Sequence, residues 1–142
     1  MKIIIGSDHA GFDLKEACRA DLQKRDGYEV EDIGAFTRDS IDYPEVAHRL
    51  ASGVAKNEFQ RGILICGTGL GMSIVANRYM GIRAALCHNL YTTRMSRLHN
   101  DANILVMGGR VIDPGLALEM VELFLSTAFE GGRHKQRLEQ ID

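Results

Sequence analysis

Short apolar runs alternate with longer amphipathic stretches along the whole chain. Five short runs have the length and composition of strands in the core of a sheet, and they cover residues 3–5, 28–33, 62–66, 82–87 and 103–107. Several of these runs contain almost no polar residue, which is expected when helices cover both faces of a parallel sheet. The pattern therefore predicts five strands.

The stretches between the runs repeat their apolar residues with the period of a helix. They cover about 10–24, 44–54, 71–79, 91–98 and 114–124, and a charged segment after Gly131-Gly132 predicts a last helix. Strand and helix thus alternate five times, which is typical of α/β proteins. We predict one three-layer α/β/α domain over residues 1–142, with a five-stranded parallel Rossmann-like sheet and a C-terminal helical tail at 131–142.

The composition and charge of the chain disfavour several classes of binding partner. The 142 residues carry a formal net charge of −2, which disfavours nucleic acid as a partner because nucleic-acid-binding domains are usually strongly basic. No apolar stretch approaches the roughly 20 residues that span a bilayer, so no membrane partner is expected. The first residues do not form a signal peptide, and we expect a cytoplasmic protein.

The three cysteines are widely spaced and form no CxxC pair. Their odd number and their spacing argue against a disulfide framework and against a structural zinc site. We therefore expect no metal site.

Ligands of open α/β sheets bind beyond the carboxyl ends of the strands, and reactive residue types occur at the strand ends of this chain. Asp8-His9 follows the first strand, Cys66 opens a glycine-rich loop after the third, and Arg110 follows the fifth. His99-Asn100 stands just before the fifth strand. This clustering indicates a functional site.

The loop after the third strand has the pattern G-x-G-x-G at Gly67, Gly69 and Gly71. It matches neither the dinucleotide fingerprint G-x-G-x-x-G nor a Walker A motif. Such a loop can direct several backbone N–H groups at one anionic oxygen. The alternative is a tight turn between a strand and a helix that binds no ligand.

Cys66 has two interpretations as well. A thiol near a helix N-terminus can have a lowered pKa, and the thiolate could then attack a substrate or remove a proton. Cys66 could equally be the last buried residue of an apolar strand, since free cysteines are often buried. We assign Cys18 and Cys87 to packing.

His9 and His99 are candidate acid–base groups, with Asp8 beside His9, because imidazole titrates near neutral pH. No local ligand spacing supports a metal on these residues. Arg110, Arg133 and Arg137 are candidate anion-binding groups.

Arg133 and Arg137 are four residues apart and share one face if their segment is helical. They would then clamp a phosphate, or else belong to a solvated terminal helix. The neighbouring His134 and Lys135 are expected to face solvent.

Together, these motifs resemble the type B ribose-5-phosphate isomerases, a family that includes galactose-6-phosphate and allose-6-phosphate isomerases. The resemblance covers essentially the whole chain, and the joint occurrence of its motifs in order makes it specific. The motifs are Gly6-Ser7-Asp8-His9-Ala10-Gly11, Asp42-Tyr43-Pro44, the run 66–73, Ala76-Asn77-Arg78, Gly81-Ile82-Arg83-Ala84, the run 96–103 and Gly131-Gly132-Arg133-His134.

The resemblance implies interconversion of ribose 5-phosphate and ribulose 5-phosphate without a cofactor. Cys66 would be the base that moves a proton between C2 and C1, and Thr68 would assist. His99, with Asp8 nearby, would open the furanose ring. In members that use a Glu at the position of Met72, the residue at position 66 is Ser, so methionine here favours Cys66 as the base.

The resemblance also implies the residues that bind the substrate. Backbone N–H groups from Gly67 to Ser73 would hold the enediolate, and Asn100 would bind sugar hydroxyls. The phosphate would be bound by His9, Arg110, Arg133 and Arg137, and Tyr43 would line the pocket. Members are typically homodimers that build each site from both subunits, and a tetramer is the alternative.

Two alternative functions remain at this point. One keeps the mechanism and changes the substrate to a six-carbon sugar phosphate, with residues 89–93 tuning the choice. The other is a sugar-phosphate-binding module without catalysis, although binding alone needs no base. A flavodoxin-like protein that binds FMN ranks lower, because only 6% of the residues are aromatic.

Overall fold

The computed structural model describes residues 1–142 and contains a single five-stranded sheet in which all neighbouring strands are parallel. The strand order is β2-β1-β3-β5-β4. The strands are β1 Lys2–Ser7, β2 Glu29–Asp32, β3 Arg61–Cys66, β4 Ala84–Leu86 and β5 Ile104–Gly108. The predicted fold class is confirmed.

Six helices connect or follow the strands. They are α1 Phe12–Gln23, α2 Tyr43–Ala55, α3 Leu70–Ala76, α4 Leu90–Leu98, α5 Pro114–Ser126 and α6 Arg133–Leu138. Pro44 and Pro114 stand in the first turns of α2 and α5, where the missing N–H costs no helical hydrogen bond. None of the helices combines the length and the apolar composition that a membrane crossing needs.

Alternation along the strands divides the core into two layers. On β3, Ile63 and Ile65 face a cluster with α1 and α5, whereas Leu64 and Cys66 face a cluster with α2 and α3. Cys66 therefore belongs to the α2–α3 side of the sheet. This three-layer arrangement fixes the direction from which the thiol can be reached.

The two edge strands differ from the predictions. The strand expected at 28–33 is only four residues long, and its side chains alternate between exposed and half-buried. The strand expected at 82–87 contains only Ala84–Leu86. Each of these strands has one neighbour, so one side of each backbone has no sheet partner to prolong it.

Two predicted helices are shorter than their apolar pattern. Helix α3 ends at Ala76, so Tyr79 lies in the following turn. The terminal helix spans only Arg133–Leu138 of the charged tail.

The sheet has its topological switch point between β1 and β3, since the chain leaves β1 toward β2 on one side and reaches β3 on the other. Ligands of open α/β sheets generally bind at the carboxyl ends of the strands that flank such a point. We call this end of the sheet the carboxyl edge and the opposite end the amino edge.

Candidate active site

The thiol of Cys66 lies at the carboxyl edge, at the end of β3, and only 5% of the residue is exposed. Its Sγ accepts a hydrogen bond from the backbone N–H of Gly69 over 3.1 Å. Gly69 has φ +82°, a conformation that residues with a side chain rarely adopt, and this conformation turns the loop back toward the thiol. The thiol thus lies against the glycine-rich loop, at the predicted position.

The amides of the glycine-rich loop fall into two groups. Those of Gly69, Leu70 and Ser73 are used within the chain: they donate to Cys66 Sγ, Thr68 Oγ1 and the carbonyl of Gly69, respectively. The amides of Gly67, Thr68, Gly71 and Met72 donate to no acceptor in the chain. Of the predicted amide donors from Gly67 to Ser73, these remain available to a ligand.

The hydroxyl groups of Ser73 and Thr68 in the same loop differ in whether their protons are already used in a hydrogen bond. Ser73 Oγ donates to the carbonyl of Leu70 over 2.7 Å, so its proton is already used. Thr68 Oγ1 accepts from the Leu70 N–H over 3.2 Å and keeps its own proton free. Thr68 is exposed, so its hydroxyl can reach a bound molecule.

Tyr43, the first residue of α2, packs against the glycine-rich loop. A Cβ at Gly71 would lie only 2.5 Å from the tyrosine ring, so the close approach requires glycine at this position. Tyr43 is 40% exposed and lies beside the loop, and its role in lining a pocket stays a prediction.

The loop after β1 brings Asp8 and His9 to the carboxyl edge. Asp8 is buried, its N–H donates to the carbonyl of Ile65 on β3, and its Oδ1 accepts from the N–H of Gly11. His9 Nδ1 accepts from the N–H of Ile41 over 3.2 Å. The neutral imidazole then carries its proton on Nε2, which is free to donate to a ligand.

Arg110 follows β5 and lies over the glycine-rich loop, because its Nη1 would be 3.5 Å from a Cβ at Gly67. Its guanidinium is exposed and pairs with no carboxylate. Together with the donor on His9, it makes the carboxyl edge a place for an anion.

His99 and Asn100 lie at the amino edge instead. Helix α4 starts after the carboxyl end of β4 and runs back along the sheet, so its C-cap His99 reaches the region where β5 begins. The carbonyl of Asn100 accepts from Arg83 Nε over 2.7 Å, just before β4. These two residues therefore precede strands rather than follow them.

The expectation that His134 faces solvent is wrong. His134 is only 4% exposed, and its imidazole stacks on that of His99 with ring centroids 4.1 Å apart and planes 13° apart. The prediction missed it because the surrounding sequence is charged. The spacing of His134 from the buried Leu138, four residues later, is the signal that marks an inward face.

Arg133 and Arg137 both lie on α6, as the spacing predicted, and both are exposed. Neither guanidinium pairs with a carboxylate or donates to another residue. Lys135 on the same helix is exposed, as expected. The amino edge therefore carries two cations that are free to bind an anion.

The predicted site residues thus form two half-sites on opposite edges. The carboxyl half-site contains Cys66, Thr68, Asp8, His9, Tyr43 and Arg110, and the amino half-site contains His99, Asn100, Arg133 and Arg137. The ends of β3 alone are about 17 Å apart at ~3.3 Å per residue. Asp8 and His99 therefore lie on different edges within one chain, and their expected proximity stays a prediction about a site that two subunits build.

The other two thiols differ from Cys66 in their surroundings. Burial raises the pKa of Cys18 to about 12, with a smaller contribution from Asp21. Burial also raises the pKa of Cys87. Both are free and buried, which agrees with their assignment to packing.

Two histidines and a glutamate lie close enough together at the amino edge to resemble a set of metal ligands. His99, Glu130 and His134 have ligand atoms within 4.8 Å of one another. The two imidazole planes are nearly parallel, however, so their nitrogen lone pairs point side by side rather than at one ion. The geometry favours stacking over coordination.

The amino edge also carries a groove of about 700 Å³ between the turn after α3, the start of β4 and the C-terminal residues. Asn100 lines it together with Leu138 and Ile141. Helix α6 thus contributes to this groove on one face and offers its two arginines on another.

Comparison with known proteins agrees with this architecture. The family model described as Ribose/Galactose Isomerase matches residues 3–141. The chain is 48% identical to Ribose-5-phosphate isomerase B of Escherichia coli (strain K12) over 140 residues, which covers 99% of this chain and 93% of that protein.

Solved structures give the same result. Ribose-5-phosphate isomerase B of Clostridium thermocellum matches with a TM-score of 0.95 and 53% identity, covering 99% of this chain and 95% of that one. The corresponding structure from Thermotoga maritima also has a TM-score of 0.95 and 53% identity, covering 99% and 97%. The chain is an isomerase, and it belongs to the ribose/galactose isomerase family.

Proposed function

We propose that the protein interconverts ribose 5-phosphate and ribulose 5-phosphate through an enediolate, with Cys66 as the base. The observation that carries this proposal is the hydrogen bond from the Gly69 N–H to Cys66 Sγ, beside loop amides that have no acceptor in the chain. The choice of substrate is supported by the relatives described above, which are named ribose-5-phosphate isomerase B.

The proposed proton transfer is balanced within the substrate. The Cys66 thiolate takes the C2 proton of the open-chain aldose, and the electron pair forms the C1–C2 double bond while O1 becomes anionic and is then protonated. The O2 hydroxyl next loses its proton as C2 becomes the carbonyl, and the thiol returns its proton to C1. Thr68, whose hydroxyl proton is free, assists the transfer between the two oxygens.

The free amides of Gly67, Thr68 and Gly71 are the donors that we assign to the enediolate oxygens. A sugar C2–H is a very weak acid, so its removal needs both a positioned base and stabilisation of the developing negative charge. Removal of one such donor typically costs about 10²–10³-fold in turnover. No redox step occurs, so the reaction requires no nicotinamide.

Ring opening is the step that we assign to His99. The C1 hydroxyl of the furanose loses a proton, the bond between C1 and the ring oxygen breaks, and the ring oxygen takes up a proton. Imidazole can serve both transfers near neutral pH. Asn100, exposed beside His99, would bind sugar hydroxyls.

A complete site requires two subunits in this proposal. Cys66 and His99 belong to half-sites at opposite edges of the sheet, and both must contact one small sugar. We therefore propose a homodimer in which the amino half-site of one subunit meets the carboxyl half-site of its partner. The exposed Leu70 and Ile74, one turn apart on α3, support this arrangement because they form an apolar surface next to the glycine-rich loop.

The phosphate would then be bound by groups from both subunits. Arg110 and the Nε2 donor of His9 come from the carboxyl half-site, and Arg133 and Arg137 come from the partner subunit. Binding energy from this unreactive group holds the open-chain sugar in place for the proton transfer.

The three unpaired thiols of the chain support a cytoplasmic, reducing location.

The test is an assay of the purified protein against ribose 5-phosphate, allose 6-phosphate and galactose 6-phosphate, without added metal or nucleotide. We expect the highest kcat/KM for the five-carbon substrate. Cys66→Ala should lower turnover by about 10³-fold or more, whereas the matched control Cys18→Ala should stay close to the original rate. Near-normal turnover of Cys66→Ala would remove the thiol from the mechanism, and a higher kcat/KM for a hexose phosphate would change the substrate.

A further inference from the structure

The side chain of His99 packs face to face on the side chain of His134. Its imidazole makes no hydrogen bond within the chain, and a histidine ring turns easily about its last side-chain torsion. Its flat face instead lies on His134, with ring centroids 4.1 Å apart. The stack therefore restricts the plane in which the His99 nitrogens lie.

His134 is itself firmly fixed. It is 4% exposed, and its N–H donates to the carbonyl of Gly131 at the start of α6. The N–H of Glu130 donates to the carbonyl of Leu98, the residue before His99, over 3.1 Å. The two backbones are thus tied together next to the stacked rings, and His134 provides a rigid surface for His99.

Packing alone does not account for a histidine at this position. His134 Nε2 is buried without a hydrogen-bond partner, and its nearest carboxylate, Glu130 Oε2, is 3.5 Å away. An unsatisfied buried polar atom costs free energy that an apolar side chain would not. The feature that histidine brings to position 134 is a flat ring, and flat rings stack on one another whereas branched aliphatic side chains do not.

We propose that His134 is the positioning residue for His99: the stacked ring holds the His99 imidazole in the orientation that opens the sugar ring. This inference rests on the proposed function, which assigns ring opening to His99. Helix α6 would then perform two tasks, since Arg133 and Arg137 bind the phosphate while His134, between them, orients the acid–base group. Phosphate position and imidazole position are thereby linked through one rigid helix.

The charges around His134 agree with this role. Burial lowers the pKa of His134, and the positive charge that His99 can carry lowers it further. Glu130 acts in the opposite direction, and Arg133 and Arg137 contribute to the lowering. His134 is therefore neutral at neutral pH and places no cation against the face of His99.

The test uses two variants and two reactions. His134→Leu removes the flat ring but keeps an apolar side chain in the buried position, and His134→Phe restores a flat ring without nitrogens. The first reaction is isomerisation of ribose 5-phosphate, which must open a furanose. The second is exchange of the C1 hydrogen of ribulose 5-phosphate in D₂O, which needs only the enediolate, because this ketose cannot close a furanose ring.

We expect His134→Leu to lower kcat for ribose 5-phosphate by about 10–100-fold, since small misplacement of a catalytic group can cost about 10²-fold. KM and the C1 exchange rate should change by less than about threefold, and His134→Phe should recover most of kcat. An unchanged kcat in His134→Leu, equal losses in both reactions, or no recovery in His134→Phe would each overturn the proposal.

The same variants separate this proposal from the proposed function. The C2 proton signal of His99 in NMR spectra reports the ring stack directly, because a stacked ring shifts it upfield whatever reaction the protein performs. The shift should persist in His134→Phe and disappear in His134→Leu. If the unmodified protein neither isomerises the sugar nor exchanges the C1 hydrogen, the proposed function fails even when this signal behaves as expected.

Discussion

The Gly69 N–H donates a hydrogen bond to the Cys66 sulfur over 3.1 Å, and the left-handed backbone of Gly69 makes this contact possible. A Cβ at Gly69 would also lie 2.5 Å from Leu86 Cδ1 and 3.1 Å from the carbonyl oxygen of Met107. The backbone conformation of one glycine thus places a hydrogen-bond donor against the thiol.

Gly69→Ala should therefore lower isomerase turnover strongly and the free energy of unfolding only moderately. We expect a loss of about 1–2 kcal/mol in the free energy of unfolding from the left-handed backbone, and a loss of about 10²-fold in turnover as the loop shifts. Gly81→Ala is the matched control, because Gly81 has φ +77° but open space around its Cα. Chemical denaturation and turnover should be measured on both variants, and equal loss of turnover would contradict the prediction.

Two inactive variants should restore activity when they share a dimer. Mixed subunits of Cys66→Ala and His99→Asn contain one site with both residues intact, so random pairing should give about a quarter of the original activity. Co-expression with two affinity tags allows the mixed dimer to be isolated and assayed.

The control mixture combines Cys66→Ala with Asp8→Asn, which both damage the carboxyl half-site. No mixed dimer of these two has an intact site, so activity should not return. Activity in neither mixture would show that the sites are not shared between subunits.

Arg137→Ala should act mainly on substrate binding. The exposed guanidinium has no carboxylate partner in the chain, so its removal should leave stability nearly unchanged. We expect KM for ribose 5-phosphate to rise by about 10–100-fold, in line with the loss of a charge-assisted hydrogen bond of about 1.5–3 kcal/mol. Lys135→Ala on the same helix is the control, and an equal rise in its KM would point to general charge rather than to a phosphate clamp.

Lys15→Met should destabilise the fold. Lys15 is fully buried, and its Nζ contacts Asp32 Oδ2 at 2.5 Å and Glu16 Oε1 at 2.8 Å. Asp32 Oδ1 also accepts a hydrogen bond from the Gly34 N–H, where a loop begins. Ile41, farther along that loop, donates its N–H to His9. The two carboxylates are partly exposed and also contact Arg19, so we expect a loss of about 1–3 kcal/mol in the free energy of unfolding. Urea unfolding against the exposed control Lys24→Met measures this loss.

Acid should weaken the fold partly through His134. Its pKa is lowered in the folded state from the ordinary value of 6.5, mainly by burial, so the unfolded chain takes up the proton first as the pH falls. The free energy of unfolding should therefore decrease below about pH 6.5 until the folded-state pKa is passed. His134→Phe should show a smaller decrease between about pH 7.5 and pH 5.5, and identical decreases would exclude this contribution.

The central strands and the glycine-rich loop could be predicted from the sequence because local patterns determine them. A strand buried on both faces, such as β3, needs continuous apolar residues, and the glycines of its loop are needed by the local backbone. The prediction for the edge strand β2 is longer than the observed strand. The length of an edge strand depends on the neighbour with which it pairs rather than on its own residues.

The chain's own pattern of residues determined the α/β layers, the place of Cys66 at the end of a buried strand, and the cations available for a phosphate. The position of His99 at the other edge of the sheet and the burial of His134 against it follow from the packing of the helices, which no local pattern specifies. The physical reason is range: strand and turn preferences act over a few residues, whereas α4 and α6 meet through packing between segments about 35 residues apart in sequence, such as His99 and His134.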